Sequence, residues 1–248
     1  MKKVFVLMAI AAMVLNACEK KPDDNPGNNP GDKDDPAEYV QPIEIDGNFA
    51  DWAKLDAANV ATAKVTPDAT KDALKLVKVY ADEYFIFVYF EWDTEQTNWV
   101  PDEDHVPFHM YINSDGDSTT GGFGDQWSDA CSDVCLEGSL YDASGMTSYD
   151  PGAYLWIGEA NGSGWSWEPD GENVLASGSG LCSGAGVPGK YEIALTRELW
   201  PTGKIADNFS IGFDIQCNWD SVGILPIGEV TEDNPSGIAP SLQVKTVK

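Results

Sequence analysis

Positive charge is scarce in this chain. Fifteen Lys and Arg stand against 41 Asp and Glu, for a formal net charge of −26. With no basic patch to neutralise phosphates, nucleic acid and anionic lipid headgroups are poor partners. Histidine is reduced to His105 and His109. No G-x-S-x-G motif, His-bearing metalloprotease helix or P-loop occurs, which removes the common hydrolase and nucleotide-binding signatures. Carboxylates are so plentiful that a pair of them cannot mark a glycosidase. Helical periodicity is rare, a βαβ rhythm is absent and no internal repeat is found, which excludes parallel α/β folds. Long apolar runs are missing everywhere but at the N-terminus.

That terminus carries the clearest signal. Met1–Lys3 gives a positive start, Val4–Val14 an apolar run, and Leu15-Asn16-Ala17-Cys18 follows. The run is too short to span a bilayer in a mature protein and has the flanks of a signal peptide. The Leu15–Cys18 segment resembles the lipobox of bacterial lipoproteins, which implies lipidation of Cys18, palmitate included, and a stable acyl anchor without a transmembrane helix. Glu19–Glu38 is rich in Pro, Gly, Asn and Asp and lacks branched apolar or aromatic residues, the composition of a disordered spacer. Its acidic residues are similar to export signals that carry some lipoproteins of Gram-negative glycan degraders to the cell surface. The expected organisation is a signal peptide over 1–17, a lipidated cysteine and acidic linker over 18–38, and one all-β domain over 39–248. The expected location is the outer membrane, facing outward.

Strand patterns fill that domain. Leu74–Tyr80 and Tyr84–Trp92 form a hairpin around a short acidic turn. In its second arm Tyr84, Ile86, Val88, Phe90 and Trp92 share one face and Phe85, Phe87 and Tyr89 the other, the mark of a central strand. Pro107–Asn113 alternates Phe108, Met110 and Ile112 against His109, Tyr111 and Asn113. Cys135–Asp142 follows, and Ala153–Pro169 is a second hairpin turning at Asn161–Gly164. Lys190–Leu199, Asn208–Trp219 and Ser241–Val247 complete the set, with Phe209, Ile211, Phe213, Ile215 and Cys217 inward. Short strands between Gly, Asn and Pro turns predict an antiparallel, immunoglobulin-like β-sandwich with long loops.

Several of these segments carry a family resemblance in the right order. IEIDGNFADWAKLDA (Ile43–Ala57) resembles the opening strand and turn of family 9-like carbohydrate-binding modules, a DOMON-related sandwich group. Lys78–Glu95 looks like the hairpin that follows, Pro107–Gly122 like the next strand with its Asp-rich turn, and Tyr191–Leu199 like a late strand. The resemblance covers most of residues 43–218. It implies a sandwich fold, bound Ca²⁺, and sugar chain ends held between aromatic side chains, and nothing catalytic.

Three constellations bear on a site. Asn113, Asp115 and Asp117 alternate as the chain leaves a strand, and hard Ca²⁺ takes oxygens from such turns, with Asp125, Asp133 and Glu137 as candidate further ligands. The same residues also build Asx turns with no metal at all. Apart from Cys18, four cysteines remain: Cys131, Cys135, Cys182 and Cys217. An even number in an exported domain predicts two disulfides, with connectivity open among three arrangements. The C-x₃-C spacing of Cys131 and Cys135 differs from the C-x₂-C of zinc and redox sites. Among nine Trp, Trp52, Trp92 and Trp200 read as core. Trp99 and Trp127 sit in polar loops and Trp165 on a hairpin, where an aromatic face can stack on a ligand, although core packing is the commoner fate of a Trp.

The expected function is non-catalytic binding of polysaccharide or oligosaccharide by a lipid-anchored envelope protein, as an accessory to an outer-membrane glycan-uptake complex. The alternatives are an envelope assembly lipoprotein that docks another protein, and a glycoside hydrolase.

Overall fold

Strand β3 (Phe85–Trp92) is apolar on both faces, so each face needs a cover, and the fold follows from that need. The structure, a computed structural model, describes residues 39–97, 106–140, 149, 151–170, 182–198, 200 and 202–248. The signal peptide, Cys18, the acidic linker and Trp99 lie outside the described residues. Pro42–Lys248 forms one compact unit.

Twelve strands are described: β1 (Ala61–Lys64), β2 (Leu74–Ala81), β3, β4 (Pro107–Asn113), β5 (Val134–Ser139), β6 (Gly152–Trp156), β7 (Trp167–Pro169), β8 (Cys182–Val187), β9 (Lys190–Thr196), β10 (Asn208–Cys217), β11 (Asp220–Leu225) and β12 (Leu242–Lys245). They make two antiparallel sheets. One has the order β1-β2-β3-β9-β8; the other is seven-stranded, β11-β10-β4-β5-β6-β7, with β12 also pairing β10. The expected β-sandwich is what the chain forms. Between the sheets lies the main core, where Ile86, Val88 and Phe90 meet Phe108, Met110, Phe213 and Ile215. Phe90 stacks on Phe108 with ring centroids 4.2 Å apart.

The outer face of β3 is covered by the segment before β1. Ile43, Trp52 and Phe49 pack on Phe87, Tyr89 and Ala194. Here the Asp46–Trp52 run makes two 3₁₀ turns with the residues after it, Phe49–Ala53 and Ala57–Asn59, where the sequence pattern had pointed to an opening strand. Glu192 of β9, with no exposed surface, holds the segment down. It accepts the Trp52 indole N–H at 3.0 Å and the backbone N–H groups of Asp46 and Gly47 at 3.2 and 2.9 Å. Arg197, the only arginine in the sequence, is 1% exposed and ties another junction. It donates to the Asp82 and Ile205 carbonyls at 2.9 and 2.7 Å and to Asp207 Oδ1 at 3.1 Å.

The disulfide expectation is corrected: none of Cys131, Cys135, Cys182 and Cys217 carries an S–S bond. Cys131 and Cys135 flank the extended entry to β5, and four extended residues span about 13 Å. A disulfide needs Cα atoms within about 7 Å. Cys182 starts β8, at one edge of its sheet, whereas Cys217 ends β10, beneath the opposite edge. Burial raises the thiol pKa of Cys131 and Cys135, which keeps both as inert thiols.

Glu192→Ala should destabilise the protein by about 1–3 kcal/mol, because the buried Trp52 indole N–H and two part-buried backbone N–H groups lose their shared acceptor. Urea unfolding checks this. A change below about 0.5 kcal/mol, the range of a surface substitution, would show that the covering segment is held by its apolar contacts alone.

Candidate functional site

The outer face of the seven-stranded sheet is where the remaining polar chemistry gathers. Register sets Asp214 of β10, His109 of β4 and Glu137 of β5 side by side in one row. The next row holds Gly212, Tyr111, Cys135 and Tyr154. Alternation alone assigns Ser210, Asp214 and Gln216 to solvent, yet all three are buried. The cover is the long β4–β5 connection. Its Trp127 lies over Gly212, where a Cβ would sit 2.5 Å from the indole, so only glycine admits the ring. Phe123 stacks on Tyr111 at 4.6 Å, and Trp127 and Trp167 flank the same tyrosine at 5.3 and 5.8 Å.

Under this cover Asp214 accepts from Gln216 Nε2 at 2.9 Å, from Gln126 Nε2 at 3.3 Å, and from the Ser221 hydroxyl. Burial pushes its pKa up to about 6, against the pull of those donors. His109 has its Nδ1 3.2 Å from Gln216 Nε2 and 3.4 Å from the Tyr111 hydroxyl. Both can donate, which leaves the ring proton on Nε2. Burial pushes the His109 pKa down to about 4, so the ring is neutral at pH 7. Glu137 lies 3.4 Å from His109 Nε2 and accepts a long bond from the Tyr154 hydroxyl at 3.5 Å; burial raises its pKa.

Of the six expected metal ligands, Asn113, Asp115, Asp117 and Asp133 gather around one turn, while Asp125 and Glu137 lie elsewhere. Asn113 Oδ1 accepts from Gly116 N, Asp115 Oδ1 from Asp117 N, and Asp117 Oδ1 from Thr119 N, at 2.7–2.8 Å. Asp133 Oδ2 takes the Ser114 N–H at 2.8 Å. The turn is thus a run of Asx turns closed on itself. Asp125 instead accepts from Gly164 N at 2.6 Å, on the β6–β7 hairpin, and Glu137 belongs to the His109 row. Among the described residues no three His, Cys, Asp or Glu side chains converge on one point, and the oxygens of the turn are engaged by its own backbone N–H groups.

The aromatic candidates also separate. Trp52, Trp92 and Trp200 are core, as their positions in the sequence indicate. Trp127, expected on display, is 2% exposed because Gly212 and Tyr111 give it a seat on the sheet. Trp165 is 58% exposed on the β6–β7 hairpin, edge-on to Phe123 at 6.2 Å. Behind it Trp156 and Trp167 meet at 5.1 Å. Trp165 therefore stands as the outer ring of an aromatic stack that runs down to Tyr111. Around it are Asp125 and Asn161, whose amide is fixed by the carbonyls of Ser118 and Ala130.

Sequence reasoning missed Trp219. The strand pattern runs through it, but the structure ends β10 at Cys217 and turns at Asn218 and Trp219, with φ of 55° and 61°. A bulky residue in that region costs about 1–2 kcal/mol. Trp219 is 61% exposed at the end of the sheet where β4 begins, opposite to the end that carries Trp165. The Asn-Trp pair before Asp220 was the available turn signal.

No protein-family model matches the chain, and no curated protein matches it. Among solved structures it is similar in fold to a family 9 carbohydrate-binding module from Caldicellulosiruptor kristjanssonii, determined in complex with cellotriose. The two share 12% identity and a TM-score of 0.38, over 84% of this chain and 90% of that one. No residue is carried across at that similarity.

Two outcomes follow from the geometry. Millimolar Ca²⁺ or EDTA should leave the melting temperature in place, since an ion that binds only the folded state would raise it. A calcium-dependent rise of several degrees would restore the Asn113–Asp117 turn as a metal site. For Asp214 the folded pKa lies above the unfolded 3.8, so its stability is full below 3.8 and lost as pH rises through about 6. His109 acts in reverse: its stability is full above 6.5 and lost as pH falls toward 4. In melts across this range, Asp214→Asn should gain on the parent protein as pH rises from 4 to 6, then run parallel to it. An unchanged difference would mean that Asp214 is not desolvated.

Proposed function

We propose that this chain is an envelope lipoprotein, anchored through Cys18 at the outer membrane, whose sandwich domain binds glycan non-covalently. The observation that carries this reading is Trp165, an exposed indole edge-on to Phe123 at the rim of the aromatic cluster. An exposed aromatic face in a polar surround suits the C–H face of a sugar ring, as it suits a base. Asp125, which bonds Gly164 N next to it, and Asn161 of the same hairpin add groups that exchange hydrogen bonds with hydroxyls. The N-terminal lipobox and the ordered motifs resembling family 9 modules support the same reading from the sequence, as does an acidic surface that leaves nucleic acid aside. Polysaccharide held near the cell surface would then pass to an uptake complex.

The competing reading, a docking face for another envelope protein, draws on Ile157, exposed beside Trp165 on the same hairpin. It lacks the broad apolar patch that such a face needs. Trp165→Ala tests the choice. Loss of polysaccharide retention in affinity electrophoresis by at least about fivefold is expected, a scale set by aromatic stacking of about 1–3 kcal/mol. The fold should persist, because the side chain is largely outside the core. Parent protein that binds no polysaccharide, or a variant that binds as well as the parent, would sink the glycan reading.

A further inference from the structure

The described residues contain eight buried side-chain polar atoms without a hydrogen-bond partner, and five of them lie at one place. They are His109 Nε2, Gln216 Oε1, Gln126 Oε1, Trp127 Nε1 and Trp167 Nε1. All five belong to the outer face of the seven-stranded sheet or to the groups that cover it. His109 Nε2 is 3.4 Å from Glu137, yet the direction is wrong for a hydrogen bond. Leaving a buried donor or acceptor unmade costs about 1–3 kcal/mol, so such a concentration calls for a ligand that completes it.

The segment over the face is strained at both ends. Phe123 and Ala130 have φ of 71° and 45° with no glycine to relieve them. Strain of this kind collects at clamps and switch regions. Between these two residues the loop presents Gln126 and Trp127 to the sheet.

We propose that the face beneath the Phe123–Ala130 loop is a binding site for one neutral sugar unit, with the loop as its lid. This rests on the glycan reading above and goes further, by placing a ring below the rim that Trp165 forms. The chemistry selects the ligand class. Three unpartnered donors (the His109 Nε2–H and the indole N–H groups of Trp127 and Trp167) share this layer with two unpartnered acceptors, the amide oxygens of Gln126 and Gln216. A ligand that satisfies both must itself donate and accept, which hydroxyl groups do. Tyr111, Phe123, Trp127 and Trp167 supply apolar ring faces for its C–H surface. An anion is repelled by Asp214 and Glu137, and a metal cation finds no converging set of three ligands. Lifting Phe123–Trp127 releases the Gln126–Asp214 bond and opens the row Asp214–His109–Glu137 as the floor.

Each Trp carries one indole N–H, so ¹⁵N–¹H spectra of the full chain report on the site directly. Signals are assigned with Trp127→Phe, Trp165→Phe and Trp167→Phe. The probes are cellotriose, xylotriose and mannotriose, with a galacturonic acid trisaccharide as the anionic control. At least one neutral sugar should shift the Trp127 and Trp167 signals together and saturably, while the acidic sugar leaves them in place. Gln216→Leu should weaken that binding by about tenfold, in keeping with one lost buried hydrogen bond, with the Trp165 signal unmoved in the absence of sugar. A neutral sugar that shifts only Trp165 would overturn the lid site and leave the glycan reading standing. Shifts driven only by the acidic sugar, or unchanged affinity in Gln216→Leu, would also overturn it. If no probe moves any indole signal, both readings fall.

Discussion

Both sheets of this sandwich bury both faces along their central strands, and covering four faces with one chain is the constraint from which the rest descends. The two inner faces cover each other. For the five-stranded sheet the outer cover is the segment Ile43–Val60, pinned where Glu192 collects three N–H groups. For the seven-stranded sheet it is the β4–β5 connection, seated where Gly212 leaves room for Trp127. The two solutions differ in chemistry. The first cover is fastened by a carboxylate whose donors are all accounted for. The second lies over a layer in which amide, imidazole and indole atoms lack partners.

Much of the first solution was legible in the sequence. The double-sided pattern of Phe85–Trp92 marks a central strand, and a strand of that kind requires layers above and below it. Pro107–Asn113 alternates as β4 does, and the Leu74–Trp92 hairpin forms with close to the expected limits. What escaped reading has physical causes. β8 is Cys-Ser-Gly-Ala-Gly-Val, with no aromatic residue and only Val187, at its end, among the branched residues that announce strands. Its small residues are required because Tyr149 and Tyr191 fill the space beside Gly184, within 3 Å of where a Cβ would stand. β1 is four residues long, too short for a period to show.

The site was legible by residue type more than by place. Acidic alternation after β4 read equally as a metal turn or as Asx turns, since both use the same oxygens, and only the position of the backbone N–H groups decides between them. For Trp127 the surrounding Gly and Asp residues signalled a loop, but not that the loop folds back onto the sheet. That contact depends on Gly212, distant in sequence and carrying no side chain to announce it. Asp214 and Gln216 read as facing outward and His109 as facing the acidic turn, because alternation assigns a face without saying what lies on top of it.

The absence of S–S bonds has a wider consequence. All four cysteine thiols of the domain sit in a fold already closed by its own covers, Cys135 deep among aromatic rings and Cys182 against the carbonyl of Tyr149. Nothing in the folding of this sandwich then waits for an oxidant. The same native state is reached whatever the glutathione poise or the supply of disulfide-forming enzymes around the chain. Its tolerance of changing redox conditions is built into hydrocarbon and backbone rather than into sulfur.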